Sequence, residues 1–291
     1  MILQRVLSWV FFISFCQEQI CLSRNVEWYM SQVRILNLEI DNYSMQEFLE
    51  ELESGVVFTP NVDHLMKLQH DVQFMEAYQA VEYKVCDSKV LIYASRLLGK
   101  PLKEKLSGSD LFPAFYTFHK HNPDIRIFLL GAAAGVAETA QQNINTKVGR
   151  DIIVGTYSPP YGFETDQKEC DRIIEMVQDS GANVLAVGLG APKQEMFIYK
   201  YRHAFPTIKI FLAIGATIDF EAENVNRAPK WMSNVGLEWL YRLASEPSRL
   251  WRRYVLEDSG FFLLFMSQLL GLYSDPLKKK HRSRLNKKQQ V

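Results

Sequence analysis

I-R-I-F-L-L-G at residues 125–131, N-V-L-A-V-G-L-G at 183–190 and I-K-I-F-L-A-I-G at 208–215 are three versions of one device. Each is an unbroken apolar run that ends in glycine, with helix-like sequence after the first two. A strand wetted on one face alternates apolar and polar residues. An unbroken apolar run needs cover on both faces, the condition of a parallel sheet held between helix layers. Such sheets bind ligands outside the carboxyl ends of their strands, where Gly131, Gly188, Gly190 and Gly215 stand. Any one of these glycines is as readily explained by packing, but three in register favour a nucleotide-sized site. The fold read from them is α/β, a parallel sheet flanked by helices.

Working outward, V-R-I-L-N-L-E-I at 33–40 alternates like one half-buried strand. Ser44 then opens a helix, and Glu47 three residues on completes a capping box. V-V-F-T-P-N at 56–61 is a buried strand stopped by Pro60, followed by a helix carrying Leu65, Leu68 and Val72. Y-K-V-C at 83–86 predicts a short strand and 90–98 a helix, while Ser107 and Asp110 flank another helix start. After Asn224 the strand pattern stops. Short helices are expected at 234–245 and 247–256, and F-F-L-L-F-M-S-Q-L-L-G-L at 261–272 is a long apolar stretch.

The 291 residues, 47% hydrophobic and 23% charged, suit a globular protein with one large α/β domain and an appendage. Its 33 basic and 33 acidic residues leave no net charge, which argues against a general nucleic-acid binder. Cys16, Cys21, Cys86 and Cys170 have no zinc-site spacing and read as reduced thiols. The apolar run at 6–16 is shorter than the about 20 residues of a spanning helix. It has the length of a signal core without an A-x-A site after it, so an interfacial helix or a mis-set start fits it better.

Electroneutrality makes one local excess stand out. Between Arg227 and Tyr254 lie Arg227, Lys230, Arg242, Arg249, Arg252 and Arg253, with three tryptophans and two acids, Glu238 and Glu246. Guanidinium forks hold phosphate oxygens in pairs, and tryptophan suits a surface with an apolar and a wet side. The tail from Lys278 is basic and acid-free; beside the apolar 261–272 stretch it reads as attachment to an anionic membrane or as a solvated charged end.

No G-x-G-x-x-G, Walker A, H-E-x-x-H, G-x-S-x-G or D-x-D motif is present. Two strands instead end in polar residues: Thr59-Pro60-Asn61 after V-V-F, and Asp87-Ser88-Lys89 after Y-K-V-C. An aspartate just past a buried strand can act as a general base, and the same residue type also caps helices. G-L-G-A-P-K-Q-E puts Lys193, Gln194 and Glu195 at a helix start, where Lys and Gln can grip sugar or phosphate.

Taken in order, T-P-N, C-D-S, S-G-S-D-L-F-P, I-F-L-L-G, V-G-T-Y-S-P-P-Y-G-F-E, V-G-L-G-A-P-K-Q-E, I-G-A-T-I-D-F, R-A-P-K-W-M and G-L-E-W-L-Y-R-L-x-x-E-P-x-R-L-W-R-R-Y run from Thr59 to Tyr254, within a likeness that covers about residues 33 to 256. Together they resemble the WecG/TagA/CpsF family of bacterial glycosyltransferases. The resemblance implies a Rossmann-like catalytic domain over 33–225, between an extension at 1–32 and a helical Arg/Trp-rich membrane-proximal appendage over 226–273 with a basic tail at 274–291. It implies inverting transfer of an N-acetylmannosamine-type sugar from a UDP-sugar, without cofactor or metal, to a sugar on polyprenyl diphosphate at the inner face of the membrane. Asp87 matches the family's base, Thr59 and Asn61 its active-site polar pair, and Gln194 its motif glutamine. Gly131, Gly188, Gly190 and Lys193 complete the expected pocket. Arg227, Arg242, Arg249, Arg252 and Arg253 fall in the part that closes over the site. Ser88 and Glu223 stand where many members have glycine. Homo-oligomerisation is left open, and nucleic acid is not an expected partner. The rival class is a nucleotide-dependent Rossmann oxidoreductase, which glycine-ended strands permit and the missing third glycine of the fingerprint opposes.

Overall fold

The computed structural model describes residues 32–225 and 258–278, with 228–229, 232, 238–245 and 247–252 between them. The extension before residue 32 and the tail beyond 278 lie outside these residues. Among the described residues eight strands run in chain order: β1 Gln32–Ile35, β2 Leu38–Asp41, β3 Gly55–Phe58, β4 Tyr83–Lys84, β5 Ile127–Gly131, β6 Ile153–Tyr157, β7 Val184–Gly188 and β8 Ile210–Ala213. β3 to β8 form one sheet in the order β4-β3-β8-β7-β5-β6, every pair parallel. The three glycine-ended runs are β5, β7 and β8, and they sit side by side at the centre.

Alternate residues of these strands feed two separate cores. Phe58, Phe128, Leu130, Leu185, Val187 and Phe211 face one way, toward the helices Val62–Lys67, Val72–Gln79, Lys89–Leu97, Gln167–Asp179 and Lys193–Tyr201. Val57, Ile127, Leu129, Val184, Ala186 and Leu212 face the other way, toward Met45–Glu51, Gly108–Phe118, Val136–Val148 and Thr217–Glu221. Apolar burial on both faces is therefore the physical reason for the unbroken runs.

The 33–40 stretch departs from the single strand expected. It folds into an antiparallel hairpin, β1 on β2, about Leu36, whose φ is 53°. Alternation survives within each arm, so period alone does not reveal the reversal. The turn is held by distant partners: Leu36 N–H donates to Gln268 Oε1 at 2.7 Å, and Asn37 Nδ2 donates to the Leu68 carbonyl at 2.8 Å. Gln268 belongs to the helix Gly260–Leu269, whose Phe261 and Phe265 enter the first of the two cores.

Local signals hold elsewhere. Ser44 and Glu47 form the reciprocal capping box ahead of Met45–Glu51. Ser107 stands at the N-cap of Gly108–Phe118. The helix expected after Pro60 is two helices, Val62–Lys67 and Val72–Gln79, and Asp71 caps the second by accepting from Phe74 N–H.

Candidate active site

The carboxyl ends of the strands carry the residues singled out by sequence, and they do so in two styles. At β5, β7 and β8 the backbones crowd together. Gly131 has φ 131°, and a Cβ built on it would lie 2.4 Å from the Gly188 carbonyl oxygen. A Cβ on Gly188 would lie 2.8 Å from both the Gly215 carbonyl and Ile218 Cδ1. Gly190 differs, with φ 75° and open space where its Cβ would be.

At β3 and β4 side chains take over. Thr59 is buried, its hydroxyl turned to the Ala213 carbonyl at 3.4 Å. Asn61 caps the helix Val62–Lys67: its Oδ1 accepts from His64 N–H at 3.3 Å, and its own N–H donates to His64 Nδ1 at 3.2 Å. The Asp87 N–H donates to the Pro60 carbonyl at 2.9 Å, so the two polar strand ends are joined directly. The N-cap of Lys89–Leu97 is Ser88, making no side-chain cap bond, which leaves Asp87 one residue ahead of that position. Asp87 is partly exposed at the sheet edge.

The loop after β7 contributes Lys193, Gln194 and Glu195. Lys193 Nζ pairs with Glu164 at 2.7 Å and sits 4.3 Å from the centre of the exposed Tyr161 ring. That ion pair holds the Glu164 carboxyl below its ordinary range. Gln194 is buried; its Oε1 accepts the Gly215 N–H at 3.0 Å and its Nε2 donates to Glu195 Oε1 at 2.7 Å. Glu195 is fully buried, and that burial pushes its carboxyl up to about 7. Sequence reading placed Glu195 at the helix start without a role. It also passed over His64, and Ser158, whose hydroxyl donates to the Gly131 and Ala133 carbonyls at 3.1 Å and ties the loop after β6 to that after β5. Ser158 lies within the quoted S-P-P-Y-G-F-E motif, a signal available but unused.

Of the arginines, Arg227 and Arg253 lie outside the described residues. Arg242 is on the helix Glu238–Ser245, and Arg249 and Arg252 are on Pro247–Arg252, with Arg252 and Trp251 exposed. Among the described residues no three His, Cys, Asp or Glu side chains are grouped to hold a metal ion, and no helix is long and apolar enough to cross a membrane.

Parallel sheets bind ligands at the carboxyl ends of their strands, and there the partly exposed Asp87, beside Thr59 and Asn61, is a carboxylate able to take a proton from a polar ligand. The model of the family described as "Glycosyl transferase WecG/TagA/CpsF family" matches residues 33–275. The chain is 31% identical over 210 residues to the N-acetylglucosaminyldiphosphoundecaprenol N-acetyl-beta-D-mannosaminyltransferase of Bacillus spizizenii, an alignment covering 71% of this chain and 77% of that protein.

Proposed function

This chain belongs to the WecG/TagA/CpsF family of glycosyltransferases, and on that premise we propose that it moves an N-acetylmannosamine-type sugar from a UDP-sugar to a sugar carried on polyprenyl diphosphate, with inversion and without a metal ion. Membership of a transferase family decides against the oxidoreductase reading. In the proposed step the acceptor hydroxyl oxygen bonds to the anomeric carbon as the bond from that carbon to UDP breaks. Asp87 takes the hydroxyl proton as the new bond forms, since a carboxylate is too weak a base to remove it from an alcohol beforehand. UDP leaves with the bonding electrons, and its diphosphate charge is met by Arg227, Arg242, Arg249, Arg252 and Arg253. A positioned donor of this kind is worth about 3 kcal/mol. Thr59, Asn61, Gly131, Gly188, Gly190, Lys193 and Gln194 line the donor side.

The observation that carries the reading is the joining of the β3 and β4 ends through the Asp87 N–H to Pro60 bond, in a chain 31% identical to a mannosaminyltransferase named for a lipid-linked acceptor. The test is incubation with a panel of UDP-sugars and a polyprenyl-diphosphate N-acetylglucosamine acceptor, with EDTA throughout. Transfer from UDP-N-acetylmannosamine is expected. Activity appearing only when magnesium or manganese is restored ends the metal-independent reading. Stabilisation by NAD but not UDP in thermal shift ends the transferase reading.

An acceptor with a polyprenyl tail is held in a bilayer, so the protein must meet a membrane surface. The helix Gly260–Leu269 buries Phe261 and Phe265 but leaves Phe262 and Leu263 61% and 78% exposed, with Met266, Leu270 and Leu272 beside them. An apolar face of this kind, in a chain that also exposes Trp251, Arg252 and Lys278, suits the interface of an anionic leaflet, each cation near it adding about 1 kcal/mol. Leu263→Ser combined with Phe262→Ser is expected to reduce sedimentation with vesicles containing phosphatidylglycerol at least tenfold, leaving turnover of a water-soluble acceptor in place. Equal sedimentation of the variant and the parent removes this face from the account.

A further inference from the structure

Beside the proposed donor-side residues lies a buried polar cluster centred on Glu195, to which the transfer step gives no role. Glu195 Oε1 accepts from Gln194 Nε2, and His64 Nε2 lies 3.8 Å from the same oxygen. Because His64 Nδ1 accepts the Asn61 N–H, the imidazole proton belongs on Nε2, facing Glu195. Gln194 in turn holds the Gly215 N–H. One carboxyl thereby links the loops after β3, β7 and β8. Its other oxygen, Oε2, is buried without a hydrogen-bond partner among the described residues, as is the Tyr78 hydroxyl.

Resting on the glycosyl-transfer reading, we infer that Glu195 is a positioning residue: as a neutral buried acid it fixes Gln194 and His64, and through them the Gly215 and Asn61 amides at the floor of the site. The proton sits on Oε2, leaving Oε1 to accept from Gln194 and to face the His64 Nε2 at 3.8 Å. The surroundings favour that form. Burial raises the Glu195 carboxyl to about 7, and Asp63 pushes the same way; the Gln194 hydrogen bond, its own backbone and Lys67 oppose it. The groups facing the cluster are Asp63, His64 and Lys67 from one helix, Tyr78 from the next and Asp87 from the loop after β4. Burial, then Glu195, Asp63 and Asp87 in turn, hold the Tyr78 phenol well above its usual value. An ionised Glu195 would bury a second acidic charge beside Asp63 with Oε2 unpartnered, and the cost of that desolvated charge loosens the contacts that hold Gln194 and His64.

The sign follows from linkage. A carboxyl raised from 4.5 to about 7 in the folded state lowers stability as the pH rises through that window, because the folded protein binds the extra proton. Above about pH 7 the parent should also lose activity as the neutral form is depleted, reaching about one tenth of its plateau a pH unit higher.

Glu195→Gln, which keeps an acceptor oxygen and cannot ionise, is the variant that tests this. Expected are loss of the alkaline fall in kcat/KM, a flatter dependence of Tm on pH, and pH-independent protection of the Asn61 and Gly215 amides in hydrogen exchange. In the parent, both protection factors should drop together between pH 6 and 8, whereas Glu195→Ala should show low protection at every pH. Parent amides equally protected at pH 6 and 8, or an alkaline limb unchanged in Glu195→Gln, would overturn the inference. Amide exchange needs no turnover, so a parent that transfers no sugar defeats the functional reading while the role of Glu195 is still decided.

Discussion

The sheet ends in two ways. Across β5, β7 and β8 it ends in glycine, and the backbones stand so close that a single methyl group would strike a neighbouring carbonyl. Across β3 and β4 it ends in the polar residues Thr59, Asn61 and Asp87, joined by the Asp87 N–H to Pro60 bond. The glycine half leaves no room for a side chain at Gly131 and Gly188, and the polar half carries the residues proposed for the chemistry. A catalytic cleft needs both, a floor near enough for a diphosphate and a wall able to take a proton.

Substitutions can break this division of labour. The largest effect is expected at Asp87: Asp87→Asn should lower turnover by about 10³-fold and leave UDP affinity by calorimetry within about twofold of the parent. Near-normal turnover would make Asp87 a structural residue and the polar half no different from the glycine half. Gly131→Ala should act on the fold. With φ 131° and a contact of 2.4 Å to backbone, it should cost roughly 2–4 kcal/mol in urea unfolding. Gly190→Ala sharpens the contrast, since only its φ opposes a side chain; about 1 kcal/mol is expected. Equal losses at the two positions would show that crowding is not what the glycines relieve.

The two departures from glycine noted in the sequence give the smallest effects, of opposite sign. Glu223 has φ 57° and sits just past Thr217–Glu221 in a Schellman arrangement, with Glu223 N–H donating to Phe220 and Asn224 N–H to Asp219. Only glycine is at ease there, so Glu223→Gly should stabilise the protein by about 1 kcal/mol. Ser88, with φ −160°, is extended backbone that any residue adopts. Ser88→Gly should therefore destabilise by about 0.5 kcal/mol through the freer unfolded chain. Thermal unfolding of the two variants measures both shifts.

Much of this was legible because the signals are local. The unbroken runs give parallel strands between helix layers, Ser44 and Glu47 give a helix start, and the T-P-N and C-D-S ends lie where a parallel sheet binds ligands. What stayed hidden depends on residues distant in sequence. Leu36 reverses the chain because Gln268 receives its amide, and nothing in 33–40 announces that partner. Glu195 looks like an ordinary first-turn acid, and its burial appears only when His64 and Tyr78 pack over it from other helices. The glycines were read as ligand contacts, yet Gly131 and Gly188 abut one another, a constraint visible only once β5 and β7 are neighbours.

The bond from Leu36 to Gln268 ties the earliest described turn to a segment synthesised 232 residues later. Leu36 is buried in the folded protein, so until that helix emerges from the ribosome the turn lacks its side-chain acceptor and the hairpin has only its own strand pairing to hold it. The same dependence governs experiments. Cutting the chain before residue 260 to ask what the arginines do would also unlatch the opposite end of the fold, so their contribution has to be measured by point substitution in full-length protein.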